Sequence, residues 1–429
     1  MDRLRPIDRV KNILLARCAI PRDLGEVTSI GEEEPLQGTG VRRTAIDAVW
    51  RRTEEFYRSG LHPALQLCIR RNGRVVLNRA LGHASGNAPG DDPNTPKVPA
   101  TFETPFCIYS AAKAVTAMVI HKLDEKRVLH LEDRVCEYIP EFGRHGKQWI
   151  TLRHVLGHRA GIPSLPPETI DLELLGQPER VVSLLCDAKT STRPGRLLAY
   201  HAISGGFVLG EVVRRASGRD IRTVLRKEIC KPLGFRWMNY GVADRDIERV
   251  AVNSFTGPPV PPTFSRLLRR ALGASVHQAV ELSNQPRFLR GIVPSANIVS
   301  TAEELSAVYQ CLLGGGELSG TRIFDPRTVQ HATSEQSYRE IDLTLGLPIR
   351  YGLGPMLGDD PIGLFGPRSG HAFGHIGFTN IWSWADPERG LAVALLTSGK
   401  PVLSLHVIRL FQLIIEINRA FPRIATLRH

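Results

Sequence analysis

The chain lacks three things that would mark it for particular functions. Its seven cysteines (Cys18, Cys68, Cys107, Cys136, Cys186, Cys230 and Cys311) are odd in number, widely spaced and without a Cys-x-x-Cys pair. Most sit among apolar residues, where a reduced thiol acts as a small hydrophobe. The pattern argues for a reducing compartment and against a disulfide framework, and none of the seven has the histidine context of a thiol nucleophile. No apolar run is long enough to span a bilayer. The opening MDRLRPIDRVKNILLARCAIPRD, broken by Arg17 and carrying Asp2 and Asp8, does not read as a signal peptide. A cytoplasmic location is the expectation, with non-classical export or peripheral attachment left open. Finally, the net charge of +12 comes without any run of five basic residues: Arg51-Arg52, Arg70-Arg71, Arg214-Arg215 and Arg269-Arg270 stand as isolated pairs. With no helix-turn-helix, zinc-finger or RNP pattern beside them, a nucleic-acid partner is not expected. The surface reads as solvated and arginine-rich, and weak attraction to an anionic cell envelope is the remaining alternative.

Motif absences are equally selective. There is no G-x-S-x-G nucleophile elbow, and no G-x-G-x-x-G or Walker-type loop, so neither an α/β-hydrolase site nor a nucleotide cofactor is implied. His154 and His158 have the i, i+4 spacing of a helical zinc pair. No glutamate follows His154 and no third ligand is evident, so no metal is expected.

What is present is a composition ordinary for a globular protein, 42% hydrophobic and 23% charged with mean hydropathy −0.12, in which a core needs no disulfide or metal. The length, 429 residues, suits one large α/β domain with an insertion, or two domains. Residues 1–42 read as an arm, with SIGEEEPLQGTG as a linker. A helix is expected from about Ala45 to Ser59. Leu65, Leu67 and Ile69 alternate before Asn72-Gly73, and Val75 and Leu77 begin a return strand, which is a hairpin signal because Asn-Gly tolerates positive φ at both turn positions. Residues 84–104 form a loop, and 116–285 read as mainly helical. Strands return later, two of them joined by an Asp386–Gly390 turn, and VLSLHVIRLFQLIIEINRAF closes the chain as an amphipathic helix. One sheet built from both chain ends (43–115 and 286–429) around an inserted helical domain (116–285) follows, with a cleft between them as the natural place for a site.

Lysine is scarce: ten of the 55 basic residues, the other 45 being arginine. One of the ten, Lys113, lies inside the apolar stretch CIYSAAKAVTAMVIHKL, three residues after Ser110. On a helix these positions share a face, so an amine desolvated by Ala111, Ala114, Val115 and Met118 can reach a hydroxyl that needs a base. Two further segments bear on this pair. In PGRLLAYHAISGG, Tyr200 follows a Pro-Gly turn and can present its phenol to a cleft as a second base or proton shuttle. In FGHIGFTNIW, Gly377 permits close backbone approach and the next N–H can point into a site, while His375 opens the strand.

These three segments, in this order and at these intervals, resemble the serine β-lactamase and penicillin-binding-protein-like superfamily, in its class C-like branch, and are most similar to family VIII carboxylesterases. The resemblance covers about residues 43–420 and includes ITLRHVLGHRAGIP, VSTAEELSAVY, YGLG and WADPERGLAVALLTSG. It implies an α/β (α+β) sandwich of the β-lactamase/transpeptidase type, with a central antiparallel sheet flanked by helices and a mainly helical insertion. It implies Ser110 as nucleophile, Lys113 as its activating partner and Tyr200 as general base. His375-Ile376-Gly377 stands in the place of Lys-Thr-Gly, and the N–H groups of Ser110 and Phe378 form the oxyanion hole. It also implies a packing role for the segment holding His154 and His158.

Two departures from the pattern narrow the substrate. Ala202 replaces the asparagine of Tyr-x-Asn, and His375 replaces a lysine that would bind a carboxylate. Both disfavour β-lactam hydrolysis and suit an ester. The expected activity is a cofactor-free serine carboxylesterase on short acyl chains and small-molecule esters. Acyl transfer, weak β-lactamase or D-aminopeptidase activity, and a non-catalytic cell-wall-binding protein are the alternatives. Whether Lys113 or Tyr200 takes the first proton stays open. Ser295-Ala296-Asn297 is expected to start the helix that begins near Thr301, and Phe378 and Trp382 suggest an apolar rim to the site.

Overall fold

The computed structural model describes residues 15–162, 174, 177–262, 265, 266, 268, 269, 274–338 and 340–424. Residues 1–14 of the expected arm and 163–173, 175, 176, 263, 264, 267 and 270–273 of the expected helical insertion lie outside this set. The strands that matter to the site are β1 (Thr28–Ile30), β2 (Ala64–Arg71), β3 (Arg74–Ser85), β4 (Phe106–Cys107), β5 (Asn239–Tyr240), β6 (Ile298–Ser300), β7 (Met356–Leu357), β8 (Phe373–Gly377), β9 (Ile381–Asp386) and β10 (Leu391–Thr397). The helices are α1 (Arg43–Tyr57), α2 (Ala112–Glu125), α3 (Leu152–Leu156), α4 (Ser204–Ser217), α5 (Ala302–Leu313) and α6 (His406–Ala420).

The main sheet runs β1-β3-β2-β10-β9-β8-β7, and every neighbouring pair is antiparallel. Its strands come from both ends of the chain, and β10 meets β2 at the centre with Leu391 opposite Arg71 and Thr397 opposite Leu65. Period-2 alternation builds two cores. Leu65, Leu67, Ile69, Val393 and Leu395 face α1 and α6, whose Ile46, Val49, Phe56, Leu413 and Ile417 complete one core. Ala64, Cys68, Ala392, Ala394 and Leu396 face the other way, onto α5 and α2. The helix–sheet–helix layering is the one the resemblance implies. Asn72 and Gly73 both take positive φ (51° and 89°), as a two-residue hairpin turn requires.

Three sequence expectations change. Ser29 and Ile30 do not belong to a linker. With Thr28 they form edge strand β1, opposite Leu81, Ala80 and Arg79. A three-residue strand is too short to show alternation, and its acidic neighbour Glu33 is tied down by Nε and Nη2 of Arg79. Ser295–Asn297 does not start a helix: β6 intervenes and Thr301 caps α5. The mainly helical middle also contributes β5, which pairs with β6 in a small sheet ordered β4-β6-β5. No helix of the described residues is long and apolar enough to cross a membrane.

The cores hold titratable groups. Burial lowers the pKa of Lys113 and of Lys400 to about 7, and raises Cys18 to about 12 and Cys68 and Cys107 to about 11. Between these lowered values and their ordinary ones, the unfolded chain binds more protons at the lysines, so stability rises with pH. Above the ordinary thiol pKa the unfolded cysteines lose protons first, and stability falls. The melting temperature is therefore expected to climb from about pH 7 to about pH 9 and to decline beyond it, which a scan of thermal unfolding against pH would check.

Candidate active site

Ser110 lies in a one-turn 3-10 segment, Tyr109–Ala111, that leads directly into α2. Tyr109 sits at φ 47°, a left-handed conformation that a non-glycine residue holds only when its surroundings enforce it. Its hydroxyl is 2.6 Å from Ser283 Oγ, its ring stacks on Phe378 at 5.1 Å between centroids, and the buried Lys400 amine stands 4.8 Å from the ring centre. The turn that carries Ser110 is thus clamped from three sides.

Lys113 follows in the first turn of α2, and its amine donates to Ser110 Oγ at 3.1 Å and to the carbonyl of Ser295 at 3.1 Å. Its side chain is buried and forms no ion pair with any described residue, so nothing offsets the desolvation that holds its pKa near 7. Ser295, which the sequence reading assigned to a helix start, is instead the second partner of this amine. Nothing local in the sequence signals a contact made by a backbone carbonyl 182 residues away.

Tyr200 covers the pair, with Lys113 Nζ 4.9 Å from its ring centroid. Burial raises its phenol pKa, a hydrogen bond with Ser110 works in the opposite direction, and nearby Asp342 raises it further. The backbone beneath the ring is fixed by Asp342. One carboxylate oxygen accepts from the N–H groups of Tyr200 (3.1 Å), Thr344 (2.8 Å) and Leu345 (3.0 Å), and the other accepts from the Tyr351 hydroxyl (2.9 Å). Neither Asp342 nor Tyr351 carries a local sequence signal for this positioning role, although Tyr351 opens the matching segment YGLG.

Strand β8 brings the third segment in. A side chain on Gly377 would meet the carbonyl of Ile108 at 2.3 Å, so only glycine lets this strand lie against the Ser110 turn. Phe378 follows at φ 47° in the three-residue turn to β9. His375 is fully buried behind Tyr200, with ring centroids 6.3 Å apart. Burial and the nearby Lys113 lower its pKa to about 3, so it is neutral. Trp382 does not join an apolar rim. Being opposite Ile376 in the sheet register, it points to the other face, where it packs against Phe365 and Phe411.

His158 and His201 complete the surroundings. His158 lies beyond the end of α3, 4.7 Å from Tyr200 and 5.0 Å from Tyr351 between ring centroids, whereas His154 caps α3 by accepting from Thr151 N–H. The two histidines do different jobs, and no cluster of metal-ligating side chains occurs among the described residues.

Comparison with known proteins converges on one family. The family model described as Beta-lactamase matches residues 50–411. The chain is 30% identical over 317 residues, 70% of each chain, to the esterase/beta-lactamase LipL of Mycobacterium tuberculosis. Among solved structures, a penicillin-binding protein homologue from Caulobacter crescentus superposes with TM-score 0.75 at 27% identity, over 89% of this chain and 99% of that one. A family VIII carboxylesterase superposes with TM-score 0.74 at 24% identity, over 87% and 98%.

Removing the Asp342 carboxylate would leave four donors without an acceptor in a buried site. Asp342→Ala is expected to cost on the order of 3 kcal/mol in urea unfolding, and Asp342→Asn, which keeps one acceptor oxygen, clearly less.

Proposed function

The chain belongs to the beta-lactamase family, and on that premise we propose that it is a serine carboxylesterase that cleaves short-chain esters through an acyl-serine intermediate. The proposal rests on one juxtaposition, a desolvated amine of pKa about 7 held 3.1 Å from a serine hydroxyl at the mouth of a helix. Near neutral pH a large fraction of that amine is unprotonated and can act as a base. The raised pKa of Tyr200 keeps its phenol protonated, which favours Lys113 as the base and Tyr200 as the donor.

Lys113 takes the proton of Ser110 Oγ as that oxygen attacks the ester carbonyl. The oxyanion is met by the N–H groups of Ser110 and Phe378, and the ester C–O bond breaks as the intermediate collapses. The Tyr200 phenol gives its proton to the departing alkoxide and recovers one from the Lys113 ammonium. Water then repeats the sequence against the acyl-serine and releases the acid. No step needs a cofactor.

Two features favour an ester over a β-lactam or a peptide, and a third supports ester cleavage as such. Ala202 offers no amide to a substrate side chain. His375 is a buried neutral ring and supplies no cation for a substrate carboxylate. The relative of 30% identity is called an esterase as well as a β-lactamase. Acyl transfer to an alcohol would use the same groups, with the alcohol in the place of water.

Hydrolysis of short-chain nitrophenyl esters and of a chromogenic cephalosporin, by wild type and by Ser110→Ala, is the direct test. Ester turnover is expected to fall by roughly 10³-fold or more in the variant, with little cephalosporin turnover by either protein. Ester turnover that survives the substitution places the nucleophile elsewhere. Because the base is the neutral amine, kcat/KM should rise with pH through about 7, and a profile flat from pH 5 to 9 would rule Lys113 out as that base.

A further inference from the structure

Beside Lys113 lies a cavity of about 30 Å³, lined by Lys113 itself, Thr116 and Ala117 of α2, by His158 and His201, and by Ser295. Neither Ser110 nor Tyr200 lines it. Its back wall includes Gly205 and Gly206 of α4. A side chain on Gly206 would strike Ser295 Oγ at 2.2 Å, so glycine is what leaves room there. A water needs roughly 10–15 Å³ of such space, which gives the cavity capacity for two.

Donor counting shows what the cavity wants. The backbone N–H of His201 donates to His158 Nδ1 at 3.2 Å, so in the neutral ring the proton resides on Nε2. His158 Nε2 is buried and has no hydrogen-bond partner among the described residues. His201 feels the backbone of Ala199 as a hydrogen-bond partner of its ring, which leaves one ring nitrogen for a further ligand. Lys113 has a surplus as well. As an ammonium it carries three N–H groups, of which Ser110 Oγ and Ser295 O accept two. As an amine it can accept from Ser110, donate to Ser295 and still keep one N–H. In either state one Lys113 N–H and the His158 N–H are unmatched, and both groups line the one cavity.

We infer that this pocket is a water site in which His158 and His201 hold one or two waters against Lys113, and that these waters solvate the ammonium formed when Lys113 accepts the Ser110 proton. The inference rests on the reading of Lys113 as the acylation base. The groups facing Lys113 are Ser110, Ser295, Tyr200, His158, His201 and His375. The three histidine pKa values are lowered by burial and the tyrosine's is raised, so all are neutral near pH 7. The positive charge produced in acylation thus has no carboxylate partner, and water is the ligand the cavity can supply. His158 and His201 are positioning residues, acting on Lys113 through the solvent they hold.

The test pairs a wild-type crystal structure fine enough to place waters with pH profiles of nitrophenyl ester hydrolysis. A water within about 3 Å of both Lys113 Nζ and His158 Nε2 is expected. His158→Phe keeps a ring against Tyr200 but removes the N–H. It should lower kcat/KM about 10-fold and move the acidic inflection down by about half a pH unit or more, because a less solvated ammonium loses its proton more readily. His158→Gln, which retains a side-chain N–H, should recover most of the rate. If His158→Phe does not fold, His201→Leu at the neighbouring wall should shift the inflection in the same direction. Density that puts no water on Lys113, or variant profiles that superimpose on wild type, would overturn the inference. Ester turnover retained by Ser110→Ala would sink the esterase reading instead, and leaves the crystallographic water as a separate result.

Discussion

Desolvation of a single amine organises this molecule. A lysine kept from water loses the hydration that favours its charged form, and Lys113 has no carboxylate to restore it. Everything around it is built to tolerate a neutral amine: a serine hydroxyl, a backbone carbonyl, the face of a tyrosine and three buried histidines. A carboxylate beside Lys113 would hold it as a permanent ammonium and remove its capacity to take a proton. Asp342 is near enough to influence Tyr200, yet its oxygens are occupied by three backbone N–H groups and the Tyr351 hydroxyl. That carboxylate positions the tyrosine without pairing with the lysine.

The second constraint is steric. The contact between Gly377 and the carbonyl of Ile108 brings the edge of a long-range sheet against a local turn. Tyr109 and Phe378, stacked on one another and both held at positive φ, are the paired consequences of that approach. In the proposed oxyanion hole, the N–H groups of Ser110 and Phe378 would owe their orientation to this strained backbone. Lys400, buried beneath Tyr109, belongs to the same clamp.

Much of the framework was legible because its signals are local. The turn at Asn72-Gly73, the alternation of Leu65, Leu67 and Ile69, and the i, i+3 relation of Ser110 to Lys113 each depend on residues within a few positions of one another. The edge strand at Thr28–Ile30 was not legible, since three residues carry no period and its stability comes from β3. Trp382 was misplaced for a related reason. Nearness in sequence to Phe378 says nothing about which face of β9 a side chain occupies until the register with β8 is known.

By itself the sequence determined most of the long elements, the pairing of a serine with a scarce lysine one helical turn apart, and the presence of Ala202 and His375 at the two positions where the resembled pattern has asparagine and lysine. Only the tertiary structure decided which distant groups surround that pair. Ser295, His158, His201, Asp342 and Tyr351 come from five separate stretches, and their convergence depends on how the chain returns to the sheet. Periodicity and spacing report the face a residue occupies on its own element. They are blind to what another element places opposite it, and that opposing surface is what sets the solvation, and so the chemistry, of Lys113.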